Sequence, residues 1–537
     1  MIIKDKNSET ITISLDEYNE LKSLKEHCSE LETQVKWLME QLKINNKKTY
    51  GSKSEQSEYI YEQLSLLHNE AELYSDVEAK EEVKVASHTR KKKEATLDKL
   101  PENIKTVVVE HTLPEEEKVC PNCNEQLEVI GKEVKKTLKI KPAEVIIQED
   151  VYYTYACKNC EKNGIETPIV KTPQEKPVIK GSFASPEAVA HIMTQKFVIY
   201  SPLYRQEQDL KRQGVELTRQ TMSNWILKAS QLWLEPIYEK LRELLIKEEV
   251  IHADETTLQV LKTKEKPTPK KAYMWLYRTS GCSEKNIVLY DYKPNRKIEN
   301  AENFLEGFNG YIHADGYQGY HKLGDNFTVV GCWAHCRRKF AEALEMISKD
   351  ERANSTAGIA LDYCNQLYAI EKEIADKSYE EILKVRQEKS KPILDAFLCW
   401  AEKQSIAFKS KLGGAFTYLK NNEKYLRRYL EDGRLEIDNN RAERSIKPFV
   451  MGRKNFLFAN TESGATGSAV MYSIIETAKE NNLNPFRYLT YIFKKFPNIK
   501  ENETADILLP WNAPEECKVK IWYICGNPCE NKLAGIF

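Results

Sequence analysis

The four-residue phrase Ile-His-Ala-Asp occurs twice, at 251–254 and again at 312–315, and it constrains the fold more than any other feature of the chain. The first copy follows Glu249-Val250 and runs into Glu255-Thr256; the second follows Tyr311 and runs into Gly316-Tyr317-Gln318-Gly319. Each is a short apolar run ending in a carboxylate and then a polar or glycine-containing turn. That is how a buried strand delivers an acid to the rim of a sheet. Two such strands lying side by side would bring Asp254 and Asp315 together. Carboxylates that close raise each other's pKa unless a cation sits between them, and hard Mg2+ suits carboxylate oxygens and substrate phosphates. The plainer alternative is that both aspartates cap strand-to-loop turns.

A chain of 537 residues predicts several domains, because a single core stops growing at roughly 250–300 residues. With a formal net charge of −1 there is no global pull toward nucleic acid or membrane, so any such binding must come from local patches. Met1 to Lys6 lacks the apolar core of a signal peptide, and no run approaches about 18 apolar residues. The expectation is a soluble, intracellular protein. Thirteen cysteines in so long a chain argue against a secreted disulfide framework.

Residues 15–45 carry a heptad: Leu21, Cys28, Val35 and Leu42 hold one seam position, and Leu24, Leu31 and Leu38 the other. This predicts a short dimeric coiled coil, with an amphipathic helix docked on its own protein as the alternative. Residues 76–103 read as a charged, solvated linker. Within residues 104–165, Cys120-Pro-Asn-Cys123 and Cys157-Lys-Asn-Cys160 stand 33 residues apart. Two such knuckles offer four thiolates to one tetrahedral, structural Zn2+, or else serve as redox thiols. Val145, Ile147, Val151, Tyr153 and Tyr155 alternate past Lys141-Pro142-Ala143, which predicts a hairpin between the knuckles.

Residues 183–248 read as helical. Ser201-Pro202 predicts a cap and first turn, Gly214 a break, and Thr218 the cap of a second helix that buries Met222, Trp225 and Ile226. Arg219, Gln220, Ser223 and Asn224 would face outward. This is the outline of a helix-turn-helix, or of any helical hairpin. From 250 onward the pattern is α/β, with strands at 272–277, 287–290 and 327–332, and then a helical stretch at about 336–430.

A third acid is expected where Asp438-Asn-Asn-Arg-Ala-Glu443-Arg444 opens a helix, with Asn440, Glu443, Arg444 and Lys447 on one face. Arg441, Arg444, Lys447, Arg453 and Lys454 form the local basic patch that phosphate binding needs in a neutral protein. The Asn pair adds amide donors beside the carboxylate, and Asn440 is the member assigned to support it. Spacing alone does not choose Glu443 over Glu462 or Glu476.

The ordered motifs resemble the DDE transposases of the bacterial insertion-sequence family numbered sixty-six, the TnpC type. They are the zipper, the zinc ribbon, Gly214 to Trp225, His252-Ala-Asp-Glu-Thr256 and His313-Ala-Asp-Gly-Tyr317. They continue with Gly331-Cys-Trp-Ala-His335, Arg337-Arg338-Lys339-Phe340, Asp438 to Arg444, Gly452-Arg-Lys-Asn455 and Leu508-Leu-Pro-Trp-Asn512. The resemblance implies an RNase H-like catalytic core at 249–480 with a helical insertion, and Asp254, Asp315 and Glu443 as its acidic triad. Residues 481–514 would form a C-terminal family motif, and 515–537 an atypical tail without function. It further implies Mg2+ or Mn2+ at paired catalytic sites, activating water for cleavage at transposon ends and then a 3′-OH for strand transfer.

Cys332 and His335 would form a second zinc site, brace the acidic strands, or simply pack. Arg337, Arg338 and Lys339 are expected phosphate contacts. The implied partners are terminal inverted repeats, target DNA, further copies of the chain as at least a dimer, and accessory proteins from the same element. The implied location is cytoplasmic, at the bacterial nucleoid, with no membrane. A non-catalytic zinc-containing DNA-binding regulator or an inactive copy is the competing reading, and a general nuclease a weaker one.

Overall fold

Runs rich in β-branched and aromatic residues build one mixed sheet. The strands in this part of the chain are Val250–Leu258 (β1), Val260–Lys262 (β2), Ala272–Thr279 (β3), Val288–Lys293 (β4), Gly310–Ala314 (β5) and Phe327–Gly331 (β6). Five of them are ordered β6-β5-β1-β3-β4, while β2 pairs separately and in parallel with Ala459–Thr461 (β7). β1, β3 and β4 form an antiparallel meander; β5 lies parallel to β1, and β6 parallel to β5. In the sheet's interior, Met274, Trp275, Leu276 and Tyr277 of β3 are all buried. A strand covered on both faces reads as an unbroken apolar run, which is why 272–277 shows no alternation.

The computed structural model describes residues 2–4, 10–12, 14, 20, 22–25, 27, 144–156, 169–263, 271–407, 409–500 and 504–519. The chain divides into one unit of Met1–Glu78 with Lys176–Val519 and another of Ala79–Glu175 with Lys520–Phe537. In the second, Thr154–Ala156 pairs antiparallel with Ile169–Lys171. The turn of the expected hairpin, at 141–143, and the arm before it lie outside the described residues. Val145, Ile147 and Val151 are exposed and outside any strand, and the ladder forms with the segment after the second knuckle. Cys120, Cys123, Cys157 and Cys160 lie outside the described residues. So does most of the heptad stretch, whose described residues at 20, 22–25 and 27 are helical.

Helices cover the sheet: Pro186–Phe197 (α1), Leu203–Arg212 (α2), Arg219–Ala229 (α3) and Glu235–Leu245 (α4) precede it, and Glu299–Phe304 (α5) links β4 to β5. Gly214 turns between α2 and α3 at φ +82°, a conformation that favours glycine. Thr218 caps α3 by accepting from the Thr221 N–H at 3.2 Å. Ser201 does not cap α2; Pro202 holds that position without a side-chain bond, since proline's fixed φ already suits the helix entry.

After β6 come Trp333–Leu344 (α6), Thr356–Ile374 (α7), Tyr379–Val385 (α8), Lys391–Glu402 (α9) and Lys411–Arg427 (α10). They enclose an apolar cluster of their own, in which Trp333, Phe340, Leu367, Phe397 and Leu419 are buried. Asn440–Phe456 (α11) and Glu462–Glu480 (α12) return to the sheet, and Pro485–Lys495 (α13) packs on α1. Buried Arg278 of β3 ties two of them down, donating to Ser445 of α11 at 2.5 Å and Glu480 of α12 at 3.0 Å.

Side chains close both outer edges of the sheet. On β4, the Val288 and Tyr290 N–H groups donate to Thr477 and Ser473 of α12 at 3.0 and 2.8 Å, and Thr477 donates back to the Val288 carbonyl. On β6, Arg428 donates to the Val329 carbonyl at 2.6 Å. The chain is also still docked where the tail was expected to begin. Cys517 is buried, its carbonyl accepts from Asn484 N–H at 2.7 Å, and Val519 N–H donates to the Asn482 carbonyl at 2.7 Å. Cys525 and Cys529 lie outside the described residues. No described helix is long and apolar enough to cross a membrane.

Candidate functional site

The two copies of Ile-His-Ala-Asp lie side by side in register, Ile251 opposite Ile312 and His252 opposite His313. The same register carried two residues further sets Asp254 against Asp315. One expectation is corrected here. β1 does not end at Asp254 but continues to Leu258, because β3 goes on pairing with it as far as Leu258 opposite Ala272. It is β5 that stops, at Ala314, so the acids meet where the parallel neighbour has run out. Asp315 then accepts from the Tyr317 N–H at 2.8 Å, and Asp254 from the Glu255 N–H at 2.8 Å. Burial raises the Asp254 carboxyl well above its ordinary range, and Glu255, Asp315 and Glu443 push it further. Glu255 is turned away, held by Arg296 and by the Tyr320 hydroxyl at 2.7 Å.

Glu443 stands in the first turn of α11. Its carboxylate lies 3.5 Å from His335 Nδ1 and 3.6 Å from Arg338 Nη2, so it leans toward α6. The other two glutamates that spacing left open are placed on α12, where Glu476 is buried and paired with Lys479 at 2.7 Å. Of the three, only Glu443 acts electrostatically on Asp254.

Beneath the acids lies a buried polar layer that the motifs only partly announced. His252 and His313, two residues before each aspartate and so on the same face of their strands, stack at 4.4 Å with their planes 12° apart. Burial holds His252 down at about 4 and His313 well below its ordinary value, so both are neutral. His252 Nδ1 bonds Asn439 Oδ1 at 2.9 Å, and the Asn439 amide donates to the Ala253 carbonyl at 2.8 Å. The Asn439 N–H donates to Cys332 Sγ at 3.2 Å. One residue therefore joins β1, the entry to α11 and the turn after β6. The assignment of support to Asn440 is corrected: its amide is committed to Asp438 at 2.6 Å. The Asn pair was visible, but which member would face the strands depended on where α11 begins. Glu436 was not foreseen; it lies 3.7 Å from His252 Nε2 and accepts from Arg441 at 2.8 Å.

Cys332 follows β6 and holds the N-cap position of α6, and its Sγ, a ring nitrogen of His335 and a Glu443 oxygen all lie within 4.8 Å of one another. Burial, with Glu443 and Asp438, pushes the Cys332 thiol well above its ordinary value.

The basic residues divide into two sets. Arg338 reaches Glu443, Lys339 lies 5.2 Å over the Tyr418 ring, and Arg444 and Lys454 are exposed, with Lys447 half-buried. Arg337, expected at the surface, is buried and donates to Asn365 at 2.9 Å. Arg441 holds Glu436, and Arg453 donates to Thr257 and Thr256 of β1. Short-range charge spacing cannot reveal the partners of Arg337 and Arg453, which are 28 and 196 residues away. On α3, Arg219, Gln220 and Asn224 are exposed, Gln220 donating to Asn224 at 3.0 Å.

Comparison with known proteins agrees with this layout. Residues 181–467 match the family described as Transposase IS66 family, and 473–511 the IS66 C-terminal element. Residues 117–161 match the zinc-finger binding domain of transposase IS66, and 37–109 the domain described as Transposase C of IS166 homeodomain. Three similar proteins come from Sinorhizobium fredii (strain NBRC 101917 / NGR234). The chain is 30% identical to the uncharacterized protein y4jD over 415 residues, which is 74% of this chain and 78% of that one. It is 32% identical to the uncharacterized protein y4qI over 62% of this chain and 64% of that one. To the uncharacterized protein y4hP it is 28% identical over 90% of this chain and 88% of that one.

Proposed function

The chain belongs to the IS66 transposase family, and we propose that it cuts DNA at the ends of an insertion sequence and joins the freed strands to target DNA. The observation that carries this reading is the in-register pairing of the two Ile-His-Ala-Asp strands, with Glu443 brought alongside by α11. An antiparallel meander flanked by two parallel strands supports an RNase H-like core, with α7 to α10 as its helical insertion.

The donor set fits a hard divalent cation. Asp254 is a carboxyl raised by burial and by three neighbouring carboxyls, and Glu443 Oε1 is buried without a hydrogen-bond partner. Asp254, Asp315 and Glu443 would hold Mg2+ or Mn2+, which when bound supplies the charge that acidifies water and stabilises a leaving oxygen. The protein's own part is positional. Asn439 and the stacked histidines fix the strand that carries Asp254, while Arg338, Lys339, Arg444 and Lys454 offer cations to the phosphates. The four knuckle cysteines suit zinc, and the zinc finger and α2–α3 would read the transposon ends. Residues 15–45 would pair protomers as a coiled coil, and accessory proteins from the same element would join the complex.

The test is incubation of labelled transposon-end DNA with the protein and Mg2+, beside Asp254→Ala and a no-metal control. Nicking by the wild type alone supports the reading. Binding without nicking in every sample would replace it with a regulator or an inactive copy.

A further inference from the structure

Glu443 has a second set of neighbours besides the aspartates. Cys332 and His335 reach it from the start of α6, and among the described residues these three form the one cluster of potential metal ligands whose atoms lie within 4.8 Å of one another. On two of these residues a possible ligand atom, His335 Nδ1 and Glu443 Oε1, is buried without a hydrogen-bond partner. They face each other at 3.5 Å, long for a hydrogen bond. That separation has another meaning. Two ligands each about 2.0–2.2 Å from a tetrahedral zinc ion stand roughly 3.4 Å apart.

The donor types also discriminate between metals. A thiolate, an imidazole and one carboxylate suit a borderline ion, whereas Mg2+ takes oxygen and keeps its waters. Cys332 is fully buried, and its sulfur already accepts the Asn439 N–H, the kind of outer contact that orients a metal ligand. Three protein ligands leave a fourth position for water, unlike the closed four-thiolate set of the knuckles.

We propose that Cys332, His335 and Glu443 bind a single divalent ion of the zinc class. On binding, the Cys332 thiol gives its proton to solvent and the sulfur bonds the ion. An ion held there keeps Glu443 away from Asp254 and Asp315, so zinc and magnesium compete for one carboxylate. This consequence rests on the reading of Glu443 as the third acid; the binding site itself does not.

The test uses the full chain with its zinc finger already loaded with zinc, titrated with Co2+ in the absence of DNA. The expected result is a thiolate-to-cobalt charge-transfer band and tetrahedral d–d bands that saturate near about one equivalent. Added Zn2+ should bleach these bands and Mg2+ should not. Cys332→Ser should abolish the charge-transfer band. His335→Gln and Glu443→Gln, at half-buried positions, should each weaken cobalt binding at least about tenfold even if the cysteine variant does not fold. Absence of the bands in the wild type, or their survival at full strength in all three variants, overturns the site. Magnesium-dependent nicking is scored separately: cobalt bands without nicking keep the site and sink the nuclease reading, and nicking without the bands does the reverse.

Discussion

His252 and His313 stack face to face at 4.4 Å, each two residues before one of the paired aspartates. Both rings are buried, and only His252 is bonded to Asn439. His252→Phe keeps the stack but leaves the Asn439 oxygen without its buried partner, a loss of about 1–3 kcal/mol. His313→Phe takes away the acceptor of the Glu436 N–H, a longer bond at 3.3 Å, and should cost less than His252→Phe. Urea midpoints of the two variants check the order, and equal losses would contradict it.

Asn439→Ala removes two side-chain contacts at once, to His252 and Ala253, and keeps the backbone N–H that Cys332 accepts. Stability should fall by about 2–4 kcal/mol, allowing roughly 1 kcal/mol per bond and more for groups left unpaired. Asn440→Ala, which loses only its side-chain bond to Asp438, should leave the metal dependence of nicking unchanged. Asn439→Ala should shift that dependence to higher Mg2+. Titrations of nicking against Mg2+ distinguish the two residues.

Asp254 gives a pH dependence whose sign is fixed by its raised carboxyl. A carboxyl raised in the folded state binds its proton more tightly there than in the unfolded chain. It therefore favours folding at low pH, and that contribution is lost as pH rises from the ordinary carboxylate value through the folded one. Without metal, Asp254→Asn should raise Tm by about 2–4 °C at neutral pH and change it little near pH 4. Added Mg2+ should raise the wild-type Tm at neutral pH and leave the variant nearly unmoved. Calorimetry at the two pH values is the check.

The basic residues should separate by what they hold. Lys339→Ala, Arg444→Ala and Lys454→Ala should each shallow the log–log salt dependence of DNA binding by roughly one unit. Arg337→Ala, whose guanidinium is buried against Asn365, should lower stability and leave the salt slope unchanged. Filter binding across a salt series, set beside thermal melts, sorts them.

Periodicity and repeats carried the local part of this structure. The repeated phrase led to two neighbouring strands, Thr218 to a capped helix, and the unbroken apolar run to buried β3, because each depends on a few adjacent residues. What stayed hidden depends on long-range contacts. That β1 runs past Asp254 is decided by β3, not by the residues after the aspartate. Asn439 meets Ala253 across 186 residues, and Arg337, Arg441 and Arg453 look alike in sequence but differ in their folded partners. The third acid needed the whole path of α11 to be told apart from its two rivals on α12.

The hydroxyls of Ser473 and Thr477 on β4, and Arg428 on β6, have a consequence for assembly. A bare outer strand is a template on which another chain can add its own strand. With the Val288 and Tyr290 groups already satisfied from within, the β4 border does not invite extension by a neighbour, and on β6 the Val329 carbonyl is already taken. In the proposed assembly, copies would join through helices or loops, which can be released without tearing open the layer that carries the acids.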